Sequence, residues 1–148
     1  MAAWITVLLL CPTSSMANTG TISKVLSGDL VQIGDSFKAK LTGIKAPAAM
    51  DSSLGYKIFD FTKRQLEGKL VKIFTWTLDN TAAGIVYDDD GNAFVQIYFG
   101  EDLSVSYNEL MLKKGYAKVD TDHLPEDLQH YLDLEQEARD KGLGIWKE

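Results

Sequence analysis

Cysteine, histidine and arginine are nearly missing from this 148-residue chain, which holds one, two and two of them. The single cysteine, Cys11, has no internal partner for a disulfide, and no CxxC pair exists, so zinc ribbons and dithiol redox chemistry are excluded. His123 and His130 lie near the C-terminal helix without cysteine neighbours and read as surface residues rather than a zinc site. Arg64 and Arg139 both fall on predicted helices. Arginine supplies a planar fork for phosphate oxygens and lysine only a point charge. Chemistry that needs an arginine clamp on a strand therefore has no candidate. Positive charge is the minority sign: 15 Lys and Arg against 21 Asp and Glu leave a formal charge of −6. That balance argues against a broad nucleic-acid or anionic-membrane surface, because phosphate binding runs on clustered cations, although it allows a local basic patch. Repeats, low-complexity segments and linkers are absent as well. The 45% apolar content is ordinary for one globular domain with a real core.

The N-terminus stands apart. Ala2 to Cys11 is an apolar run too short to span a bilayer, and Ser15 and Ala17 are small residues spaced as a cleavage site requires. We expect a signal peptide over 1–17 and a domain over 18–148, secreted or periplasmic (cell-envelope) after cleavage, with no stable membrane span. No Lys or Arg precedes the run, so the alternative is an apolar first strand of the domain. Cleavage would remove Cys11.

Thr21 to Leu26 and Leu30 to Ile33 alternate apolar and polar around Ser27-Gly28-Asp29, a hairpin signal. Phe37, Ala39 and Leu41 alternate with Lys38, Lys40 and Thr42, giving one apolar and one basic face. Ser52 or Ser53 caps a predicted helix through about Glu67, stopped by Gly68, with Leu54, Ile58, Phe61 and Leu66 near helical spacing. Leu70 to Thr77 reads as a strand. Ile85 to Tyr87 and Ala93 to Phe99 flank the turn signal Asp90-Gly91. Asn108 to Lys114 is a short helix closed by Gly115. Leu124-Pro125-Glu126-Asp127 opens the last helix, with Pro at its first position. Leu128, Tyr131, Leu132, Leu134 and Ala138 form its buried side, Gly142 stops it, and Ile145-Trp146 pack back as a buried apolar plug. Short strands with an intruding helix suit a small closed β-barrel with α-helices, of the OB type.

Five short motifs, in order, carry a resemblance. They are Ser27-Gly28-Asp29-Leu30-Val31; Lys40-Leu41-Thr42-Gly43-Ile44-Lys45-Ala46-Pro47; Gly55 with Phe61-Thr62-Lys63; Asn108-Glu109 through Gly115 to Val119; and Glu135, Ala138, Arg139, Gly144, Ile145 and Trp146. Together they resemble the staphylococcal-nuclease-like (thermonuclease) family over nearly all of 21–146. The resemblance implies a five-stranded OB barrel with three helices. It also implies calcium-dependent cleavage of DNA and RNA, in which two acids and a Thr carbonyl hold the metal, a Glu after the Pro activates water, and two arginines clamp the phosphate. Carried over position by position, the second Asp of the hairpin motif is Asp29 and the first is Ser27. The motif arginine is Lys40. The second metal-binding acid is Lys45, followed by Ala46, and the Glu is Ala48. The second arginine corresponds to Asn92.

The residues left do not make that chemistry. A hard cation wants several oxygen ligands, which Asp29 alone does not supply. A general base needs a titrating group, and Ala48 has none; Asp51 would serve only if the loop folded back. The Asp88-Asp89-Asp90 run reads as a solvated turn before it reads as a calcium loop. Trp76 and Tyr98 read as core or rim before they read as base-stacking platforms. The expected function is therefore a binding or interaction module on a nuclease-like barrel, without catalytic or metal residues and without a cofactor, acting as a monomer. Its ligand would be an unknown protein or small molecule, with Lys38, Lys40 and Lys45 as a candidate anion face; the acidic charge disfavours nucleic acid. The alternatives are an active calcium-dependent nuclease with a rearranged site, and a stable secreted domain with an unrelated small-ligand site.

Overall fold

The structure is a computed structural model that describes residues 17–78, 84–122 and 127–147. The expected signal over 1–17 lies outside the described residues except for Ala17, as does His123. Strands β1 (Ala17–Val25), β2 (Leu30–Ile33) and β3 (Phe37–Leu41) form an antiparallel meander. After the two-residue β4 (Ile44–Lys45) comes helix α1 (Ser53–Leu66), then β5 (Leu70–Thr75) and β6 (Ala93–Phe99). A short β7 (Val105–Ser106) leads into α2 (Tyr107–Lys113), followed by β8 (Lys118–Val119) and α3 (Leu128–Asp140). The sheet order is β3-β2-β1-β5-β6-β7, and a parallel pairing of β3 with β6 brings the two sides together. Five strands thus close into a mixed barrel with three helices, the OB-type architecture the short strands imply.

β1 makes closure possible by changing partners. Its first half pairs with β5, from Ala17 opposite Phe74 to Thr21 opposite Leu70. Its second half pairs with β2, with a bulge between Ile22 and Lys24. A bulge bends its strand and increases local twist, as a closing sheet needs. The hydroxyl of Ser23, in the bulge, donates to Gly34 O at 2.6 Å. The closing seam is short: Ala39, Lys40 and Leu41 lie beside Ala93, Phe94 and Val95.

The helices follow their capping signals. The Ser52 hydroxyl accepts from Gly55 N–H at 2.9 Å and starts α1, and Gly68 follows the helix at φ +77°, a conformation that only Gly adopts without cost. Ile58, Thr62 and Leu66 are its buried face. At the helix end Glu67 Oε2 accepts from Val25 N–H at 3.0 Å, tying α1 to the barrel. The Ser106 hydroxyl caps α2. The expected start of the last helix is corrected. Asp127 is its cap, accepting from His130 N–H at 3.0 Å, and the helix begins at Leu128; Pro125 lies outside the described residues. Two strand expectations also shrink: β5 ends at Thr75, and Ile85 and Tyr87 make only isolated bridges.

The C-terminal plug is corrected too. Ile145 packs partly against the core, but Trp146 is half-buried. Its ring is covered by cations instead of the barrel, with the Arg139 guanidinium 4.0 Å and Lys118 Nζ 5.5 Å from its centroid. An aromatic face attracts such charges, so Trp146 serves as a rim residue.

The core closes around Asn108, which is fully buried. Its Oδ1 accepts from Ile97 N–H at 3.1 Å, while its Nδ2 donates to Thr42 O at 2.9 Å and Val95 O at 3.2 Å. Replacing Asn108 with Ala removes these three bonds; Val95 O keeps the Thr42 N–H, so Ile97 N–H and Thr42 O lose most. At about 1–3 kcal/mol for each of these two buried groups, Asn108→Ala is expected to lower stability by about 2–6 kcal/mol in a urea titration. A loss under about 1 kcal/mol would remove this residue from the closure argument.

Candidate functional site

The hairpin turn Ser27-Gly28-Asp29, the β3 strand with the turn after β4, and the Asp88–Asn92 turn hold the residues singled out by sequence. Asp29 is 8% exposed. Its Oδ1 accepts from the Ser27 hydroxyl at 2.8 Å and its Oδ2 from Ala46 N–H at 3.0 Å. Its carbonyl accepts from Leu41 N–H at 2.9 Å. Asp29 therefore joins the first hairpin to the end of β3 through its carbonyl and to the turn after β4 through Oδ2, while Oδ1 bonds within its own turn.

Gly28 sits in the same joint. A Cβ there would lie 2.9 Å from Ala46 Cβ and 3.0 Å from Ile58 Cγ2. Its carbonyl accepts from the Thr62 hydroxyl at 3.3 Å, and Tyr107 OH donates to that same hydroxyl at 3.0 Å. Burial pushes the Tyr107 phenol well above its usual range, against the Thr62 hydrogen bond, and keeps it a neutral donor. The turn is thus clamped between α1 and the Ala46–Pro47 segment.

Beyond Pro47 the chain turns tightly, with Asp51 N–H donating to Ala48 O at 3.2 Å. Gly55 packs against the Ala48 carbonyl, where a Cβ would collide. The Ala48 side chain is exposed and brings no polar group. The Asp51 carboxylate is exposed, and among the described residues it has no hydrogen-bond or ion-pair partner. The loop does fold back at this point, but through the backbone of Asp51.

Of the three lysines proposed as an anion face, Lys38 and Lys45 are exposed and Lys40 is half-buried. Lys38 and Lys40 share one side of β3, and Lys45 sits on β4 opposite Lys118. Lys40 acts on Asp88. Burial tends to raise the Asp88 carboxyl. Hydrogen bonds from the Asn92 side chain and N–H and from Asp90 N–H, with the charge of Lys40, outweigh it and hold the group below the usual carboxylate range.

Asn92, the expected arginine counterpart, is 5% exposed. Its Nδ2 donates to both Asp88 oxygens at 3.1 and 2.9 Å, and its N–H donates to Oδ1 at 2.8 Å. The side chain is therefore locked within its own turn, with Gly91 at φ +78° completing the geometry. The Asp run divides accordingly: Asp89 and Asp90 are solvated as expected, while Asp88 is the internal fastener of the turn. Sequence reasoning missed this role, although an Asp accepting from the N–H two residues on is a known turn habit. Trp76 and Tyr98 are half-buried, packed edge-on against Phe94 and Phe74 at 6.2 and 5.3 Å. His130 is exposed, with Nε2 3.4 Å from Glu109.

Among the described residues, no group of three or more His, Cys, Asp and Glu side chains is placed to hold a metal ion, and no helix is long and apolar enough to cross a membrane.

Compared with known proteins, residues 38–148 match the family described as staphylococcal nuclease homologue. No curated protein matches the chain. The family match spans most of the chain, which therefore belongs to that family. It begins at Lys38, so β1, β2 and Asp29 lie before it while completing the same barrel.

The geometry makes Asp29 a structural joint. Asp29→Ala is expected to cost about 1.5–3 kcal/mol, the range for a hydrogen bond to a charged group, and to speed amide exchange at Ala46. Asp29→Asn keeps an acceptor oxygen and should lose less on both counts. Unchanged exchange at Ala46 in Asp29→Ala would show that the carboxylate does not hold the turn.

Proposed function

We propose that this member of the staphylococcal nuclease homologue family does not hydrolyse phosphodiesters and works as a binding or interaction module. The observation that carries this reading is that Asp29, bonded to the Ser27 hydroxyl and the Ala46 N–H, stands without a second acid: among the described residues no group of three or more His, Cys, Asp and Glu side chains is placed to hold a metal ion.

Calcium does not fit the residues present. It takes six to eight oxygen ligands. The one acid at the position the family resemblance points to supplies at most two of these oxygens, and each already accepts one hydrogen bond from the protein. Lys45, next to Ala46 on the chain, adds a cation where a second carboxylate would be needed. The proposal therefore contains no metal-borne step. Water activation meets a parallel obstacle, since Ala48 has no group to take a proton. Charge stabilisation meets a third. Asn92 is held by Asp88, and the remaining cations on this side are lysines, without the forked geometry that preorganises phosphate oxygens. What this side retains is two exposed lysines, Lys38 and Lys45, with the half-buried Lys40. Among the described residues neither Lys38 nor Lys45 has an ion pair, which suits capture of an anionic group on a small molecule or protein.

Purified protein is expected to leave DNA and RNA intact in millimolar calcium, and calcium should not raise its melting temperature, because a ligand stabilises only a state it binds. Cleavage that follows the protein through several columns and vanishes in Asp29→Asn would establish the rearranged-nuclease alternative. Asp29→Asn is the better control because it keeps an oxygen for the Ala46 N–H. A thermal-shift screen with nucleotides, oligonucleotides and glycans supplies the binding arm; a hit that Lys38→Gln/Lys45→Gln abolishes supports the lysine face.

The N-terminal run supports export as a second part of the proposal. β1 is described from Ala17, and Asn18 is already paired with Ile73, so cleavage after Ala17 keeps the paired strand from Asn18 onward. Protein recovered outside the cytoplasm should begin at Asn18 by N-terminal sequencing. Intact Met1 on a cytoplasmic product would oppose export.

A further inference from the structure

A groove of about 440 Å³ lies where α1, the end of α2 and the C-terminal turn meet. None of the candidate-site residues lines it, so its character is independent of whether hydrolysis is lost. α1 contributes Leu54 and Lys57, the end of α2 contributes Lys113 and Lys114, and Tyr116 comes just after them. The far wall is Leu143, Gly144 and Lys147. Four lysines thus gather around one groove, without an acidic residue in its lining, on a chain whose formal charge is −6. All four are exposed.

Their partners leave most of that charge uncompensated. Among the described residues only Lys113 makes an ion pair, with Glu109 at 3.5 Å, and Glu109 is shared with His130 at 3.4 Å. Lys114 lies over the Phe61 ring at 5.4 Å, which places the ammonium but does not cancel it. A helix C-terminus explains part of the cluster, because cations there complement the macrodipole. That account covers Lys113 and Lys114. It does not cover Lys57, early in α1, or Lys147, beyond the final turn.

Two sides of the groove are joined by a backbone contact. Gly115 and Gly144, at φ +66° and +55°, lie with backbone against backbone. A Cβ on Gly115 would strike the Leu143 carbonyl, and one on Gly144 would strike the Gly115 carbonyl. Ile145 N–H donates to Gly115 O at 2.8 Å across the same contact. The end of α2 and the C-terminal turn therefore meet through backbone and not only through side chains.

The geometry points to a binding site for a small phosphorylated molecule with an apolar or aromatic body. Like charges converging on one cleft repel unless an anion lies among them. Lysine suits phosphate as a set of point charges. Leu54, Leu143 and Tyr116 offer carbon surface for the rest of the ligand. The volume falls in the range of small-molecule sites, about 300–1,000 Å³.

The test titrates the full chain at low salt with naphthyl phosphate, inorganic phosphate, naphthol and a single-stranded oligonucleotide, following backbone amide shifts. Saturable shifts with naphthyl phosphate are expected at Gly115, Leu143 and Gly144. Inorganic phosphate and naphthol should each bind more weakly, because each lacks one half of the recognition. Lys57→Gln/Lys147→Gln should weaken naphthyl phosphate by about tenfold or more, as expected when charge-assisted contacts are removed. Lys24→Gln/Lys69→Gln, at two exposed lysines outside the groove, should leave it unchanged. The proposal is overturned if those amides do not respond at millimolar ligand, or if the Lys57/Lys147 variant binds equally well. Tightest binding by the oligonucleotide, mapped to Lys38, Lys40 and Lys45, also overturns it. All four lysines are exposed, so the variants should fold; far-UV circular dichroism checks this.

Discussion

The barrel depends on three hydrogen bonds from one buried amide. Closing the sheet requires β3 and β6 to run parallel, and only three residue pairs join them before the strands part. A buried backbone group without a partner is costly, so a short seam ends badly unless something satisfies the groups beyond it. Thr42 N–H still reaches Val95 O at 2.9 Å. Asn108 takes over from there, accepting from Ile97 and donating to Thr42 and Val95. Because Asn108 lies in the first turn of α2, the same contacts that end the seam also seat that helix. The turn after β3, which carries Ile44 to Pro47, begins where this closure leaves the chain.

From that seam outward, polar side chains that look chemical in the sequence turn out to fasten backbone. Asp29 holds Ala46, Asp88 holds Asn92, Glu135 accepts from Val119 N–H at 3.0 Å, and Glu67 accepts from Val25 N–H. Each is a carboxylate bonded to a backbone or amide donor some residues away. Such bonds to charged acceptors are worth more than neutral ones. Two of them fix turns, at Ala46 and Asn92, and two engage N–H groups at strand ends, at Val25 and Val119.

Features written by local rules are legible in the sequence. The Ser52 cap, the Gly68 and Gly115 stops, the alternation of Phe37, Ala39 and Leu41, and the barrel class derive from capping, backbone permissiveness and period-two patterning. The family resemblance extends this to the number of strands and helices. What stays hidden depends on residues distant in the chain. Lys57, Lys113 and Lys147 meet only after three segments pack, and no spacing links them. Trp146 reads as core by its size, yet cations from β8 and α3 cover it. The resemblance leads one to expect a turn arginine at position 92, while Asn92 there is held by Asp88, four residues before it. The last of these is within reach of local rules; the other two are not.

The engagement of Asp29 gives a physical reason why an acid stands there while Lys45 and Ala48 stand at the neighbouring positions. Lys45 and Ala48 are exposed, so changes at either leave the core and its hydrogen bonds untouched. Asp29 is buried against its own turn, and removing its carboxylate leaves both the Ser27 hydroxyl and the Ala46 N–H in need of partners. Fold stability therefore holds one position of the set and places no demand on the other two. On the proposed reading, hydrolysis at this surface would need acids at 45 and 48 beside Asp29. Each Asp29 oxygen keeps a lone pair beyond its one hydrogen bond, so the same carboxylate would hold the ion and the Ala46–Pro47 turn at once.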